Sequence, residues 1–259
     1  MLVAERHHKI VELVNEKKSI RVSDMSKLFA VTEETIRRDL EKLEKENKLA
    51  RSHGGAVSLH PNDSLEIPYS QREIMNVREK QKIAMEAIKH VFEGDKIILD
   101  ASTTAWYMAK ALPDLPLTVM TNSIKVAMEL SNKHQINVIS TGGTLLSKSL
   151  SYAGPLAEAS FDSYHLDKAF ISCKGLHLER GISESDEQQS RIKKKMIDSA
   201  DSIYLMIDYS KFSKTAFSKI DQIEVAHHLV TDSKADQTLI QLLKEKGIRV
   251  TVTEVQHDK

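Results

Sequence analysis

Small hydroxyl residues and glycine recur in this 259-residue chain, each time directly after an apolar run. Asp100-Ala101-Ser102-Thr103-Thr104 follows Ile97-Ile98-Leu99, Thr121-Asn122-Ser123 follows Val119-Met120, and Thr141-Gly142-Gly143-Thr144 follows Val138-Ile139-Ser140. A helix opening at either of the first two would present unpaired N–H groups and the positive end of its dipole, an arrangement that suits a phosphate. Glycines at the third would let backbone approach a ligand closely. Each loop alone has an ordinary explanation, since Ser and Thr cap helices and Gly-Gly makes turns. Three such loops at successive strand ends, converging on one sheet edge, bring a ligand site level with that explanation.

The other reactive side chains are less suggestive. His7–His8 and His227–His228 are adjacent pairs, which on a helix point about 100° apart and hold a shared ion poorly. No metal site is expected. Cys173 precedes Lys174 and reads as a buried, inert thiol, and one cysteine allows no intrachain disulfide. Met25, Met120, Met196 and Met206 occupy apolar positions and read as core. Arg191, Lys193, Lys194 and Lys195 form a cluster that composition alone assigns to a solvated face.

The elements that position these loops follow from hydropathy. Apolar segments at 96–100, 117–121, 136–140, 168–172, 202–208, 227–231 and 249–252 read as strands. Helical patterns lie between most of them, at 78–92, 104–111, 123–130, 186–200 and 236–246. Such alternation predicts a mainly parallel sheet flanked by helices. Residues 58–77, with Pro61, Asn62, Asp63, Ser64 and Pro68, show no periodicity and read as a linker.

Before that linker the pattern is different. Residues 3–17 read as a helix, and Ser23 and Thr32 stand as N-caps of two further helices, at 24–29 and from 33 to about 46. Asn47 suits the end of the third. Ile36, Leu40 and Leu43 form its apolar stripe. Glu34, Arg38, Glu41 and Lys45 lie opposite the stripe, with Thr35 and Lys42 on one flank and Arg37 on the other. Residues 49–57, around Gly54-Gly55, read as a small hairpin. Three short helices and a hairpin make a winged helix-turn-helix, whose third helix enters the major groove by its N-terminal end. An arginine there can contact guanine, a glutamate cytosine and a threonine a base edge. Arg51 and His53 on the wing could reach phosphate or the minor groove. Taken alone, Glu34 and Arg38, one turn apart, read as a surface ion pair, and the sequence of the whole segment is what turns the reading toward DNA.

Whole-chain numbers exclude several classes. Lys plus Arg and Asp plus Glu number 37 each, so the chain is neither a basic nucleic-acid coat nor an acidic tail. Residues 1–60 carry twelve cations and ten acids, too even a balance to decide anything, so placement matters more than sum. The 41% apolar fraction supports a core. No apolar run approaches the roughly 18 residues that span a bilayer, the first ten residues lack a signal-peptide pattern, and a cytoplasmic location is expected.

The string Val22-Ser23-Asp24-Met25, then Val31-Thr32-Glu33-Glu34-Thr35-Ile36-Arg37-Arg38-Asp39-Leu40 and Arg51-Ser52-His53-Gly54-Gly55-Ala56, closely resembles the DeoR family of bacterial transcriptional regulators. The resemblance resumes in the three loops, in Ala169-Phe170-Ile171-Ser172-Cys173-Lys174-Gly175 and in Asp208-Tyr209-Ser210-Lys211-Phe212, and covers nearly the whole chain. It departs at Asn47 and Ser102, where the family often has glycine. The resemblance implies a winged helix-turn-helix domain (1–57), the linker (58–77) and a Rossmann-like α/β sensor domain (78–259) similar to ribose-phosphate isomerase and glucosamine-phosphate deaminase. It further implies DNA contacts by Ser23, Thr32, Glu34, Thr35, Arg37, Arg38, Arg51 and His53. A phosphorylated-sugar effector is implied at Asp100, Ser102, Thr103, Thr104, Thr121, Asn122, Gly142, Gly143, Lys193 and Lys211, with Lys193 placed by its spacing from Met196.

The resulting expectation is a repressor of a sugar-catabolism operon, released from a double-stranded DNA operator by a sugar phosphate, acting as a dimer or tetramer and needing no cofactor. The alternative is an isomerase or deaminase with an accessory DNA-binding domain. Aldose–ketose isomerisation needs a placed carboxylate base. The Asp-Gly-Ala-Asp-Glu-like string of the isomerases is absent, and Asp100 and Glu184 form no recognisable catalytic set.

Overall fold

The computed structural model describes residues 3–17, 19–46, 48–52, 54–57 and 66–254. The chain divides into two compact units, one up to residue 65 and one from Glu66 onward.

In the first unit α1 (Val3–Lys17), α2 (Val22–Phe29) and α3 (Glu33–Lys45) pack with a three-stranded antiparallel sheet of β1 (Ser19–Arg21), β2 (Ala50–Ser52) and β3 (Gly55–Val57), in the order β1-β3-β2. Ile36, Leu40 and Leu43 are wholly buried on α3 against Ile10, Val14 and Met25. Each such side chain contributes about 1.5–3 kcal/mol. Gly55 is fixed by proximity, because a Cβ there would lie 2.2 Å from the Ile20 carbonyl oxygen across the sheet. The turn between α2 and α3 passes through Ala30 in the left-handed region (φ 52°). It is closed by Ser26 Oγ donating to the Val31 carbonyl at 2.6 Å. Ser23 does not cap α2. The helix starts two residues earlier than expected, at Val22 with Arg21 at the N-cap position, because β1 runs directly into it.

In the second unit the short helix α4 (Tyr69–Glu73) and α5 (Val77–Ile88) precede the sheet. Then follow β4 (Lys96–Leu99), α6 (Thr103–Ala111), β5 (Leu117–Thr121), α7 (Ile124–Leu130), β6 (Ile136–Ser140), the hairpin of β7 (Thr144–Leu146) and β8 (Ser151–Ala153), and α8 (Pro155–Phe161). The chain continues as β9 (Leu166–Ile171), β10 (Gly175–His177), β11 (Gly181–Glu184), α9 (Glu187–Asp198), β12 (Ala200–Met206), β13 (Ser218–Asp221), β14 (His228–Asp232), α10 (Gln237–Glu245) and β15 (Arg249–Thr253).

The seven apolar segments read from the sequence are the seven strands of one sheet, ordered β15-β14-β12-β9-β4-β5-β6 and parallel throughout. Alternate residues face opposite layers. Ile97 and Leu99 pack with Ala84, Met108 and Val126 of α5, α6 and α7, whereas Ile98 packs with Phe161, Met196 and Leu243 of α8, α9 and α10. Helices on both faces explain why the strands are apolar runs rather than alternating patterns. The α/β expectation holds, and Met25, Met120, Met196 and Met206 are all core.

The linker expectation needs correction on its second half. Residues 58–65 lie outside the described residues, but Glu66 onward belongs to the second unit, and Tyr69–Glu73 is helical. The Tyr69 ring is buried and its N–H donates to the Lys148 carbonyl at 2.7 Å, which pins the segment to the α/β unit. Two polar breakers and a five-residue helix leave no readable periodicity.

Candidate functional sites: a DNA-reading helix and a charged cavity

On α3, Thr32 is the N-cap, its Oγ1 accepting from Thr35 N–H at 3.2 Å, and the two hydroxyls lie 2.9 Å apart. Glu34, Arg38, Glu41 and Lys45 are exposed, as rotation about the helix requires. Arg38 is 78% exposed and 3.4 Å from Glu34, whereas Arg37 is 52% exposed and donates to Glu33 at 2.8 Å. Arg38 is therefore the freer of the two to reach a base edge. Arg51 is exposed on β2, its backbone N–H held by Glu44 Oε1 at 2.9 Å. Ser23 is half-buried in the first turn of α2, and His53 lies outside the described residues.

Beneath α3 sits a feature that the sequence reading missed. Asp39 is buried and receives Arg6 Nε at 2.6 Å and Nη2 at 3.1 Å, with His7 Nε2 at 2.9 Å from Oδ1. Burial pushes the Asp39 carboxyl up, but the bonds from Arg6 and His7 outweigh this and hold it below the usual range. His7 is thus a hydrogen-bonded histidine at the edge of the first unit's core. The only sequence sign of Arg6 was a cation on the wrong side of an amphipathic helix.

In the second unit a cavity lies where the strand order reverses, between the carboxyl ends of β4 and β9. Open α/β sheets hold ligands at such a switch point. Asp100, just after β4, spans the crevice: Oδ1 accepts from Ser102 N–H at 3.0 Å and Oδ2 from Ser172 N–H at 2.8 Å. Ser102 caps α6 through Ala105 N–H at 3.0 Å. Ser102, Thr103, Thr104, Ser172, Cys173 and Lys174 form one side of the cavity. Glu184, Ser185 and Lys193 line it from β11 and α9, Lys211 from the loop after β12, and Glu66, Ile67, Arg72, Met75, Asn76 and Lys80 from the segment around α4 and α5. Arg72, Lys80, Lys174, Lys193 and Lys211 thus share the cavity lining with Glu66 and Glu184, while Asp100 and Asp208 act on Lys193 and Lys80 from beside it.

Lys193 lines this cavity but has no charge to spare. Its Nζ donates to Glu184 Oε1 at 2.6 Å, Asp100 Oδ2 at 3.0 Å and the Ser172 carbonyl at 2.5 Å. Burial acts to lower its pKa, yet Asp100 and Glu184 raise it well above the usual lysine value. The expectation that Lys193 neutralises a phosphate is thereby redirected: it holds two acids in place. Lys211 differs, since among the described residues it has no carboxylate within ion-pair distance. Lys80 was not anticipated. Among the described residues its Nζ donates only to carbonyl oxygens, those of Arg72 at 2.5 Å and Met75 at 2.6 Å, and burial pushes its pKa down to about 7. Asp208, close by, accepts from Asn76 Nδ2 at 3.1 Å and Ser210 N–H at 2.9 Å. Cys173 is buried, with its thiol pushed up to about 12 by burial, and is inert as expected.

Thr121, Asn122, Gly142 and Gly143 do not line the cavity. Thr121 Oγ1 donates to the Leu99 carbonyl at 2.6 Å and accepts from Ser123 N–H at 3.0 Å. Asn122 Nδ2 donates to the Tyr152 carbonyl at 2.9 Å. Gly142 is in the left-handed region (φ 63°), and the close approach at Gly143 is to the chain itself, where a Cβ would lie 2.7 Å from the Ala153 carbonyl oxygen. The reason is sheet order. β5 and β6 lie one and two places beyond β4, away from the switch point. Among the described residues no His, Cys, Asp and Glu group could hold a metal, and no helix is long and apolar enough to cross a membrane.

A winged helix-turn-helix followed by a doubly wound unit with a charged cavity is the architecture of a DNA-binding transcriptional regulator with a sensor domain. The chain belongs to the DeoR family: residues 6–62 match the DeoR-like helix-turn-helix domain and residues 75–233 the DeoR C terminal sensor domain. It is 59% identical over 251 residues, 97% of each chain, to the uncharacterized HTH-type transcriptional regulator YulB of Bacillus subtilis. It is 34% identical to the L-fucose operon activator of Haemophilus influenzae, covering 94% of this chain and 97% of that one. It is also 34% identical, over all of both chains, to the HTH-type transcriptional repressor GlcR of Bacillus subtilis. These relatives are named as regulators, and the regulator reading stands over the isomerase one.

Proposed function

We propose that this regulator represses a sugar-catabolism operon in the cytoplasm, binding a double-stranded operator as a homo-oligomer, and is released when a phosphorylated sugar occupies the cavity. Symmetric operators demand a symmetric protein, so a dimer or tetramer is expected. In this reading Lys211, Lys80 and Arg72 receive the phosphate together with the opening turn of α6 at Ser102, Thr103 and Thr104. The ligand is an allosteric effector, and no cofactor takes part.

The observation that carries the reading is the cavity's excess of cations. Lys211 lacks an ion-pair partner among the described residues, and Lys80 donates to backbone oxygens alone. A bound anion would satisfy both by charge-assisted hydrogen bonds. Repression follows the name of GlcR, and activation, favoured by the name of the fucose operon activator, is the second reading.

The test is a gel shift at fixed salt on the chain's own upstream DNA, titrated with sugar phosphates and their free sugars. Release by one sugar phosphate and not by its free sugar is the expected result. Tighter binding would assign activation, and no response to any phosphorylated sugar would overturn the effector assignment. A ligand that binds both states equally shifts nothing.

A further inference from the structure

The cavity has two electrically distinct ends. The charges acting most strongly on Lys80 include Asp208, Lys211 and Arg72, whereas those on Glu66 include Arg72, Asp186, Glu184 and Lys193. Arg72 acts on both, its Nη2 3.9 Å from Glu66 Oε1, beyond hydrogen-bond distance. At the second end Glu184 Oε1 accepts from Lys193 and Oε2 from Ser185 N–H at 3.3 Å, and Ser185 lines the cavity with a buried hydroxyl that has no hydrogen-bond partner among the described residues. A buried hydroxyl left unpaired is costly, so its presence beside a ligand cavity marks a contact that a ligand completes.

We propose that Glu66, Glu184 and Ser185 form a specificity subsite that reads the hydroxyl groups of a phosphorylated polyol at the end remote from its phosphate. This rests on the phosphate reading above and adds what distinguishes one sugar phosphate from another. A hydroxyl both donates and accepts, which suits a carboxyl oxygen and a serine side by side. A cationic amine suits this end less: Glu184 is already matched by Lys193, and burial raises the Glu66 pKa, favouring its neutral form. Glu66 is also the residue at which the second unit begins, so the contact that reads ligand identity falls at the N-terminal end of that unit.

The experiment is calorimetric titration of the full chain, and of Glu66→Gln and Ser185→Ala, with inorganic phosphate, ribose 5-phosphate, glucose 6-phosphate, fructose 6-phosphate and glucosamine 6-phosphate. The wild type should bind at least one sugar phosphate more tightly than inorganic phosphate. Each variant should weaken that sugar phosphate about three- to tenfold, the worth of one hydrogen bond, and leave inorganic phosphate within twofold, which also reports intact folding. Equal losses for both ligands, or no loss for either, would overturn the subsite while leaving the phosphate reading in place. So would inorganic phosphate binding as well as every sugar phosphate, or a preference for glucosamine 6-phosphate over glucose 6-phosphate that Glu66→Gln abolishes. Failure of the wild type to bind any phosphorylated ligand would overturn the phosphate reading and the subsite with it.

Discussion

Lys80 Nζ lies 2.5 Å from the backbone oxygen of Arg72, so one cavity cation holds the peptide that carries another. The amine bridges the end of α4 to α5 and ties the segment that follows the inter-unit joint to the sensor unit. It is a buried polar clasp, and its protonation is close to balanced at neutral pH, because burial has pushed the Lys80 pKa down to about 7.

Binding of an anion beside Lys80 should therefore take up a proton at pH 8, where the empty cavity holds this amine largely neutral. Titration in buffers of different ionisation heat should show the uptake, and Lys80→Met should abolish it. The stability term has a definite sign. Lys80 is depressed from 10.5 to about 7, so the unfolded chain binds the extra proton between those values, and the contribution of Lys80 to stability rises with pH across that window. A melting temperature whose Lys80-dependent part falls from pH 7 to 9 would contradict this.

Lys211→Ala and Lys193→Ala should behave differently. The first removes a cation with no described ion-pair partner, and should leave folding and operator binding intact while weakening response to effector at least tenfold. The second leaves Asp100 and Glu184 buried without their common cation, at a cost of about 3–5 kcal/mol. Thermal unfolding followed alongside gel shifts separates the two, and equal melting temperatures would refute the structural role of Lys193.

Arg38→Ala should reduce specific operator binding by about 1–3 kcal/mol and relax preference for operator over scrambled DNA. Arg37→Ala, whose guanidinium is tied to Glu33, should weaken both DNAs alike and flatten the salt dependence. Competition gel shifts at two salt concentrations read both effects. An unchanged preference in Arg38→Ala would move base reading elsewhere on α3.

Asp39→Ala should destabilise the first unit by about 3–5 kcal/mol, because Arg6 is left buried and unpaired. The Asp39 carboxyl sits below its usual range through its bonds to Arg6 and His7, after burial has opposed them. Its contribution is present above the unfolded value near 3.8 and is lost as pH falls through the lower folded value. Acid unfolding of residues 1–65, followed by amide exchange, should start at higher pH in the variant and lose this component.

Much of this was legible beforehand. All seven parallel strands announced themselves as apolar runs, and the cap at Thr32 and the stripe on α3 were visible in residue type and spacing. Two kinds of fact were not. Hydroxyl loops at three successive strand ends look equivalent in sequence, but sheet order puts only the first beside β9, so Ser102, Thr103 and Thr104 reach the cavity while Thr121 and Gly143 serve packing. Arg72 and Lys80 lie in or just beyond a stretch whose Pro and Asn breakers hide a five-residue helix, and nothing local says that it folds onto the sheet. Pairings such as Arg6 with Asp39, 33 residues apart, have no periodic signature at all.

The position of β9 also bears on how the molecule is made. β4, β5 and β6 pair in the order they are synthesised, and β12, β14 and β15 do the same on the other flank, but the two flanks meet only through β9. Until residues 166–171 emerge from the ribosome, β4 carries an apolar strand edge with no partner, the kind of exposed template that invites association between nascent chains. Sealing that edge is a single long-range event, and it brings the carboxyl ends of β4 and β9 together at the switch point, while Glu184, Lys193 and Lys211 join the cavity only from later elements. Protection of the β4 edge therefore precedes completion of the cavity, whose last wall residue in the chain is Lys211.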